Sequence, residues 1–227
     1  MKPLIFLDFD GVLFDSVPEV YRVCLEVARN FSDDYAPVSF DEFTQFRSYL
    51  TDAWQFNRLF SRSLKITDFK SLEGIDAIEA DWVFTHRFFE ARKLLMKDEA
   101  WADSMKPYKF FSEIKPLLVS NSNDFLIIST RNEDSICRTM AYNGVDGLRV
   151  FGQNAVRKHG SKLQVLEDAG FLKRENYMVY IDDMSAHLVP FYDKINLCIQ
   201  AQWGYDKNAK SAYSQQQVAS IIKSFYS

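Results

Sequence analysis

The sequence predicts an α/β fold: a parallel sheet with helical crossovers, interrupted near its start by a helical insert. Residues Leu4 to Leu7 form a continuous apolar run, as expected of a strand buried on both faces. After Pro107 the chain alternates between strand-like and helix-like segments, the pattern of a parallel sheet. Between these regions the periodicity stays helical and aromatic, with few strand-like runs.

The first strand stops at Asp8-Phe9-Asp10-Gly11, where polar groups meet solvent. Ser16 and Glu19 have capping-box spacing, and Pro18 stands in a first turn where a missing N–H costs nothing. Val20, Tyr21, Cys24, Val27, Ala28 and Phe31 recur at helical spacing, which predicts a helix from about Val17 to Phe31. Phe40, Phe43, Phe46, Trp54, Phe56, Phe60, Ile78, Trp82, Phe89 and Trp101 then read as the core of a small domain, with a hydrophobic substrate pocket as the competing reading. Arg58, Arg62 and Lys65 read as a solvated face, or else as a grip on an anionic substrate tail.

Beyond Pro107, strands are expected at Phe125 to Ile128, Met178 to Ile181 and Ile195 to Ile199. Helices are expected at Asn132 to Asn143, Ser161 to Ala169 and Val218 to Phe225, with Gly144 and Gly170 placed to stop the first two. Leu4 to Leu7 has no strand partner nearby, so it joins this later sheet. The domains are therefore 1–16 with 107–227 as the α/β core, and 17–106 as the helical insert.

Composition narrows the class. The 227 residues suit one large domain or one domain with an insert, and 26% charged with 47% hydrophobic residues is ordinary globular usage. Lys and Arg total 27 against 31 for Asp and Glu, so the chain lacks the positive excess that nucleic acid or anionic membrane binding needs. Cys24, Cys137 and Cys198 form no C-x-x-C and suggest neither a disulfide framework nor a zinc knuckle. His86, His159 and His187 show no metal-ligand spacing. The first residues are too briefly apolar for a signal peptide, and no stretch approaches the roughly 18 apolar residues of a membrane helix. An unprocessed cytoplasmic protein is the expectation.

Open parallel sheets gather polar groups at C-terminal strand ends, and four candidate sites stand there. Asp8 and Asp10 would face one side if the strand continues, and such a pair is costly without a cation or proton between them. Gly11 then permits a sharp turn or the close approach of a ligand. Ser129-Thr130-Arg131 ends the second strand, where hydroxyls can donate to an anion or merely punctuate the turn. Ser161 and Gln164 have capping-box spacing, which puts Lys162 at the first helical position against the helix dipole. That local inconsistency marks Lys162 for function, with a surface role as the alternative and Lys158 and Arg157 as neighbouring rivals. Asp182-Asp183 ends the apolar run from Tyr177 to Ile181, either as ligands or as a helix cap. Carboxylates of this kind suit Mg²⁺, which keeps several waters and commonly bridges to phosphate, so the predicted chemistry is phosphoryl transfer. No G-x-S-x-G, P-loop or G-x-G-x-x-G occurs.

The run Asp8-Phe9-Asp10-Gly11-Val12-Leu13-Phe14-Asp15-Ser16 resembles the first motif of the haloacid dehalogenase-like (HAD) superfamily, D-x-D-G-x-[LV]-x-D-[ST] after an apolar strand. Ser129, Lys162 and Asp182-Asp183 are similar to its other three motifs and follow in the right order, and Trp203-Gly204-Tyr205 looks like a further family feature. The resemblance covers residues 1–16 and 107–227. It implies a Rossmann-like core with a helical cap of the C1 class. It further implies Asp8 as the nucleophile that forms an aspartyl-phosphate, and Asp10 as the acid and base. Mg²⁺ would be held by Asp8, the Asp10 carbonyl and Asp183, with Asp182 in support. Ser129, or Thr130, would bind a phosphoryl oxygen, and Lys162, or Lys158, would balance charge. Asp10 favours phosphate over halide chemistry, because the dehalogenases lack an acid at that position. The expected function is a Mg²⁺-dependent phosphatase acting on a small phosphorylated metabolite. A phosphomutase-type isomerase and a non-catalytic binding protein are the alternatives.

Overall fold

The structure, a computed structural model, describes residues 2–31, 35–36, 38–50, 52–61, 75–173, 175–206 and 213–227. Arg62 and Lys65 lie outside these residues. The chain divides into two compact units, Met1–Asp15 with Lys106–Ser227, and Ser16–Met105. In chain order, β1 (Leu4–Leu7) and β2 (Phe14–Asp15) precede α1 (Val17–Phe31), α2 (Phe40–Phe46), α3 (Ala53–Phe60) and α4 (Glu79–Leu95). Then come β3 (Lys106–Pro107), α5 (Lys109–Ser120), β4 (Phe125–Ile128), α6 (Glu133–Tyr142), β5 (Arg149–Phe151), α7 (Gln153–His159) and α8 (Lys162–Asp168). The chain closes with β6 (Met178–Asp182), α9 (Ser185–Leu188), β7 (Leu197–Gln200) and α10 (Gln215–Ser224).

The first unit is a Rossmann-like α/β core. Its five-stranded sheet has the order β5-β4-β1-β6-β7, and every pair is parallel. β1 is the central strand, with Leu7 opposite Ile127 on one side and Ile181 on the other. This position explains why its residues are apolar without alternation. Phe6, Leu126, Ile128, Val165, Leu166, Tyr180 and Phe191 pack together as one buried cluster, each large apolar side chain contributing about 1.5–3 kcal/mol on burial. The polar signals set the helix ends. Asn132 caps α6 by accepting from Ser135 N–H at 3.2 Å, and Ser161 caps α8 by accepting from Gln164 N–H at 3.1 Å. Gly144 and Gly170 follow α6 and α8 with φ of 71° and 73°, conformations in which a side chain would be strained.

Five elements of this unit lie outside the sequence expectations: the two-residue β2 and β3, α5, which carries Pro116 within it, the three-residue β5, and α7. The last long strand starts at Leu197 rather than Ile195. Ile195 N–H still bonds the turn carbonyl of Phe191 at 3.0 Å, and the Asn196 side chain accepts from Met178 N–H at 2.8 Å.

The second unit is helical among its described residues, and part of its aromatic set forms a core, with Phe43, Phe46, Phe56, Phe60 and Trp101 buried. Phe40, Ile78 and Trp82 are exposed instead. On α4 the inward face is carried by Phe84 and Phe88, four residues apart. Glu19 gives both carboxylate oxygens to buried Arg92, at 2.8 and 2.9 Å. Arg58 is not a solvated residue: it pairs with buried Asp81 at 2.6 Å. Among the described residues, no helix is long and apolar enough to cross a membrane.

Candidate active site

Asp8 stands one residue beyond β1 and continues its ladder, its N–H bonding the Ile181 carbonyl at 2.9 Å. Phe9 turns into the core and stacks on Phe14, with ring centroids 4.9 Å apart. The chain then reverses through a tight loop in which Gly11 has φ of 81° and bonds the Phe14 carbonyl at 3.0 Å. A β-carbon on Gly11 would lie 2.4 Å from Asp183 Oδ2, so glycine leaves room for that carboxylate. Alternation along the strand end thus sends Phe9 inward, between Asp8 and Asp10.

Lys162 reaches this point from the first position of α8. Its Nζ lies 2.7 Å from Asp182 Oδ2 and 3.1 Å from Asp8 Oδ1, and its side chain is 6% exposed. Lys158 and Arg157 sit exposed on α7. Burial lowers the proton affinity of Lys162, but the two carboxylates outweigh it and hold the ammonium more strongly charged than usual. Asp8 behaves oppositely. Burial is the dominant influence and lifts its carboxyl to about 6 despite Lys162, with the Asp182 and Asp10 charges adding to the rise.

Asp182 and Asp183 have separate surroundings although they are adjacent. Asp182 Oδ2 accepts from Lys162 Nζ and from the Tyr180 hydroxyl. Its Oδ1 accepts from Met184 N–H at 2.9 Å and lies 3.3 Å from His187 Nδ1. Burial pushes this carboxyl upward, yet Lys162 and His187 hold it well below the usual range. Asp182 therefore anchors Lys162. Asp183, 1% exposed, is held by Tyr205 N–H on Oδ2 at 2.6 Å and by Gly204, whose added β-carbon would lie 2.1 Å from Asp183 Cβ.

Ser129 is buried just past β4, its N–H on the Phe151 carbonyl at 2.9 Å, whereas Thr130 is exposed. Arg131, given no role by its sequence context, lies in the site. Its side chain is buried, with Nε 3.2 Å from Asp10 Oδ1 and the guanidinium 5.6 Å from the Phe9 ring centre. Tyr180 and His187 were likewise not legible as site residues. Neighbourhood to a motif was the one signal they carried.

Two arrangements could hold a metal ion. Ligand atoms of Asp8, Asp182 and His187 lie within 4.8 Å of one another. Lys162 Nζ already contacts all three, with His187 Nδ1 at 3.5 Å, so an ammonium fills that position. Asp8, the Asp10 carbonyl and Asp183 are the alternative that the family resemblance implies, hard oxygen donors of the kind that suits Mg²⁺. The fit is supported by the space that Gly11 and Gly204 leave around Asp183.

No family model matches the sequence, and no curated protein matches it. Solved structures do. A predicted phosphoglycolate phosphatase from Haemophilus somnus 129PT is 12% identical, with a TM-score of 0.64 and 97% of each chain covered. A haloacid dehalogenase-like family hydrolase from Streptococcus pneumoniae is 12% identical, with a TM-score of 0.60 over 97% of this chain and 98% of that one. A HAD-superfamily hydrolase of subfamily IA from Geobacter sulfurreducens PCA is 15% identical, with a TM-score of 0.53 over 96% and 95%. Likeness at this level of identity is a likeness of fold, and it agrees with the motif at Asp8 to Ser16. The chain has the fold of the haloacid dehalogenase-like hydrolases.

Proposed function

We propose that the protein is a Mg²⁺-dependent phosphatase that hydrolyses a small phosphomonoester through an aspartyl-phosphate at Asp8. The observation that carries this reading is the Asp8–Lys162–Asp182 arrangement, a buried carboxylate at a strand end beside an ammonium that a second carboxylate holds in place. Asp8 attacks phosphorus, a P–O bond to the acyl oxygen forms, and the bond to the leaving oxygen breaks. Asp10 gives that oxygen its proton, and the alcohol departs. Asp10 then takes a proton from water as the water attacks phosphorus, which releases phosphate and restores the Asp8 carboxylate. Ser129 donates to a phosphoryl oxygen, and Gly11 lets the backbone approach it. Lys162 offsets the charge shared by Asp8 and phosphate without reorganisation.

Asp8, the Asp10 carbonyl and Asp183 would hold Mg²⁺, which neutralises charge on the phosphoryl oxygens when bound. The helical insert, residues 17–106, is read as the cap that selects the substrate, and the cytoplasm as the location. The test is phosphate release from a panel of phosphomonoesters, with and without Mg²⁺, for the native protein and Asp8→Asn. Metal-dependent release lost in the variant is expected. Rearranged ester without phosphate release would point to a mutase, and no reaction with any ester would contradict the proposal.

A further inference from the structure

We infer that Asp206 is a positioning residue that fixes Asp183 from behind and so sets the metal affinity of the site. This inference rests on the metal-dependent reading above. Asp206 Oδ2 accepts from the Ser185 hydroxyl at 2.7 Å and from Ser185 N–H at 3.2 Å. It also accepts from Gln200 Nε2 at 3.2 Å, and the same amide nitrogen donates to the Asp183 backbone carbonyl at 3.1 Å. One carboxylate oxygen therefore ties down the chain at two points: the Asp183 carbonyl through Gln200, and the start of α9 two residues later.

The geometry is cooperative. Gln200 ends β7 directly opposite Asp182, and Ala201 N–H bonds the Asp182 carbonyl at 3.0 Å. The segment Ala201 to Asp206 then folds back, so that Gly204 and Tyr205 bear on the Asp183 side chain while Asp206 bears on its backbone. Trp203 pins the segment by donating Nε1–H to the Val12 carbonyl at 3.0 Å, which belongs to the loop that follows Asp10. An anion at Asp206 gives charge-assisted bonds to all its donors, stronger than a neutral acceptor would. Partners behind a metal ligand fix its orientation, and their loss typically weakens metal affinity by about 10- to 100-fold.

The probe is Mn²⁺, titrated into the full chain and followed by electron paramagnetic resonance, with thermal melts of the metal-free proteins beside it. Asp206→Ala is expected to bind Mn²⁺ about 10- to 100-fold more weakly than the native protein. Asp206→Asn keeps an acceptor oxygen and recovers much of the loss, which a general loss of stability would not produce. Ser185→Ala removes one donor and is expected to weaken binding by a smaller factor, which keeps the inference testable if Asp206→Ala does not fold. Unchanged Mn²⁺ affinity in folded Asp206→Ala, or in Ser185→Ala if that is the variant that folds, overturns the inference. Failure of the native protein to bind Mn²⁺ overturns the metal-dependent reading first and this inference with it.

Discussion

Substituting Asp8 by Asn should stabilise the metal-free protein above neutral pH, although Asp8 is the proposed nucleophile. The carboxyl rises from its ordinary 3.8 to about 6, chiefly because it is buried. A rise of that size is worth about 3 kcal/mol at 1.36 kcal/mol per pH unit. Because the folded-state value is the higher one, protonated Asp8 favours folding at low pH, and the advantage is lost as pH climbs from about 4 through about 6. An asparagine of the same shape has no charge to bury and leaves Lys162 bonded to Asp182 at 2.7 Å. The gain should be nearly complete above pH 7 and roughly half as large at pH 5. For a chain of this size it corresponds to about 6–12 °C in Tm at pH 8. Thermal melts in a chelating buffer at pH 5 and pH 8 measure it, and added Mg²⁺ should narrow the gap by stabilising only the native protein. A variant less stable than the native protein at pH 8, or a difference independent of pH, would refute the reasoning.

Lys162→Met should lower turnover by at least about 10³-fold and cost about 3–5 kcal/mol in urea unfolding, since it leaves two buried carboxylates without their shared cation. Exposed Lys158→Met should change neither. Gly204→Ala should weaken Mg²⁺ binding at least about tenfold by calorimetry, because its β-carbon would lie 2.1 Å from Asp183 Cβ. Arg92→Met should cost about 3–5 kcal/mol by taking its guanidinium from the buried Glu19 carboxylate, with Glu19→Leu in the same chain restoring most of the stability. A double variant as unstable as the single one would contradict that pairing.

The parts of this fold legible in the sequence are those written in local signals. Apolar runs without alternation mark β1, β4 and β6, because each is covered on both faces. The cap residues Asn132 and Ser161 and the glycines at 144 and 170 mark helix ends through bonds made within a few residues. α5 and β5 lacked such signals. α5 contains a proline, and β5 has three residues of which none is fully buried. In the site, Lys162 stood out as a cation placed against a helix dipole. The different tasks of Asp182 and Asp183 depend on what each meets across the fold: Lys162, Tyr180 and His187 for one, Gly11, Gly204 and Tyr205 for the other. Contacts of that range leave no trace in spacing, which is also why Arg131 and Asp206 carried no signal. Glu19 carries both kinds of information: its spacing to Ser16 is a local helix-start signal, while the guanidinium from α4 that bonds both its oxygens has no local signal.

The central claim is that Asp8 carries the phosphoryl group. Reaction with a ³²P-labelled phosphomonoester, quenched in acid and mapped by peptide mass spectrometry, tests it directly. The account predicts label on Asp8 that accumulates with Mg²⁺ and is absent in Asp8→Asn. Turnover that proceeds with no labelled protein, or with label on another residue, would contradict it.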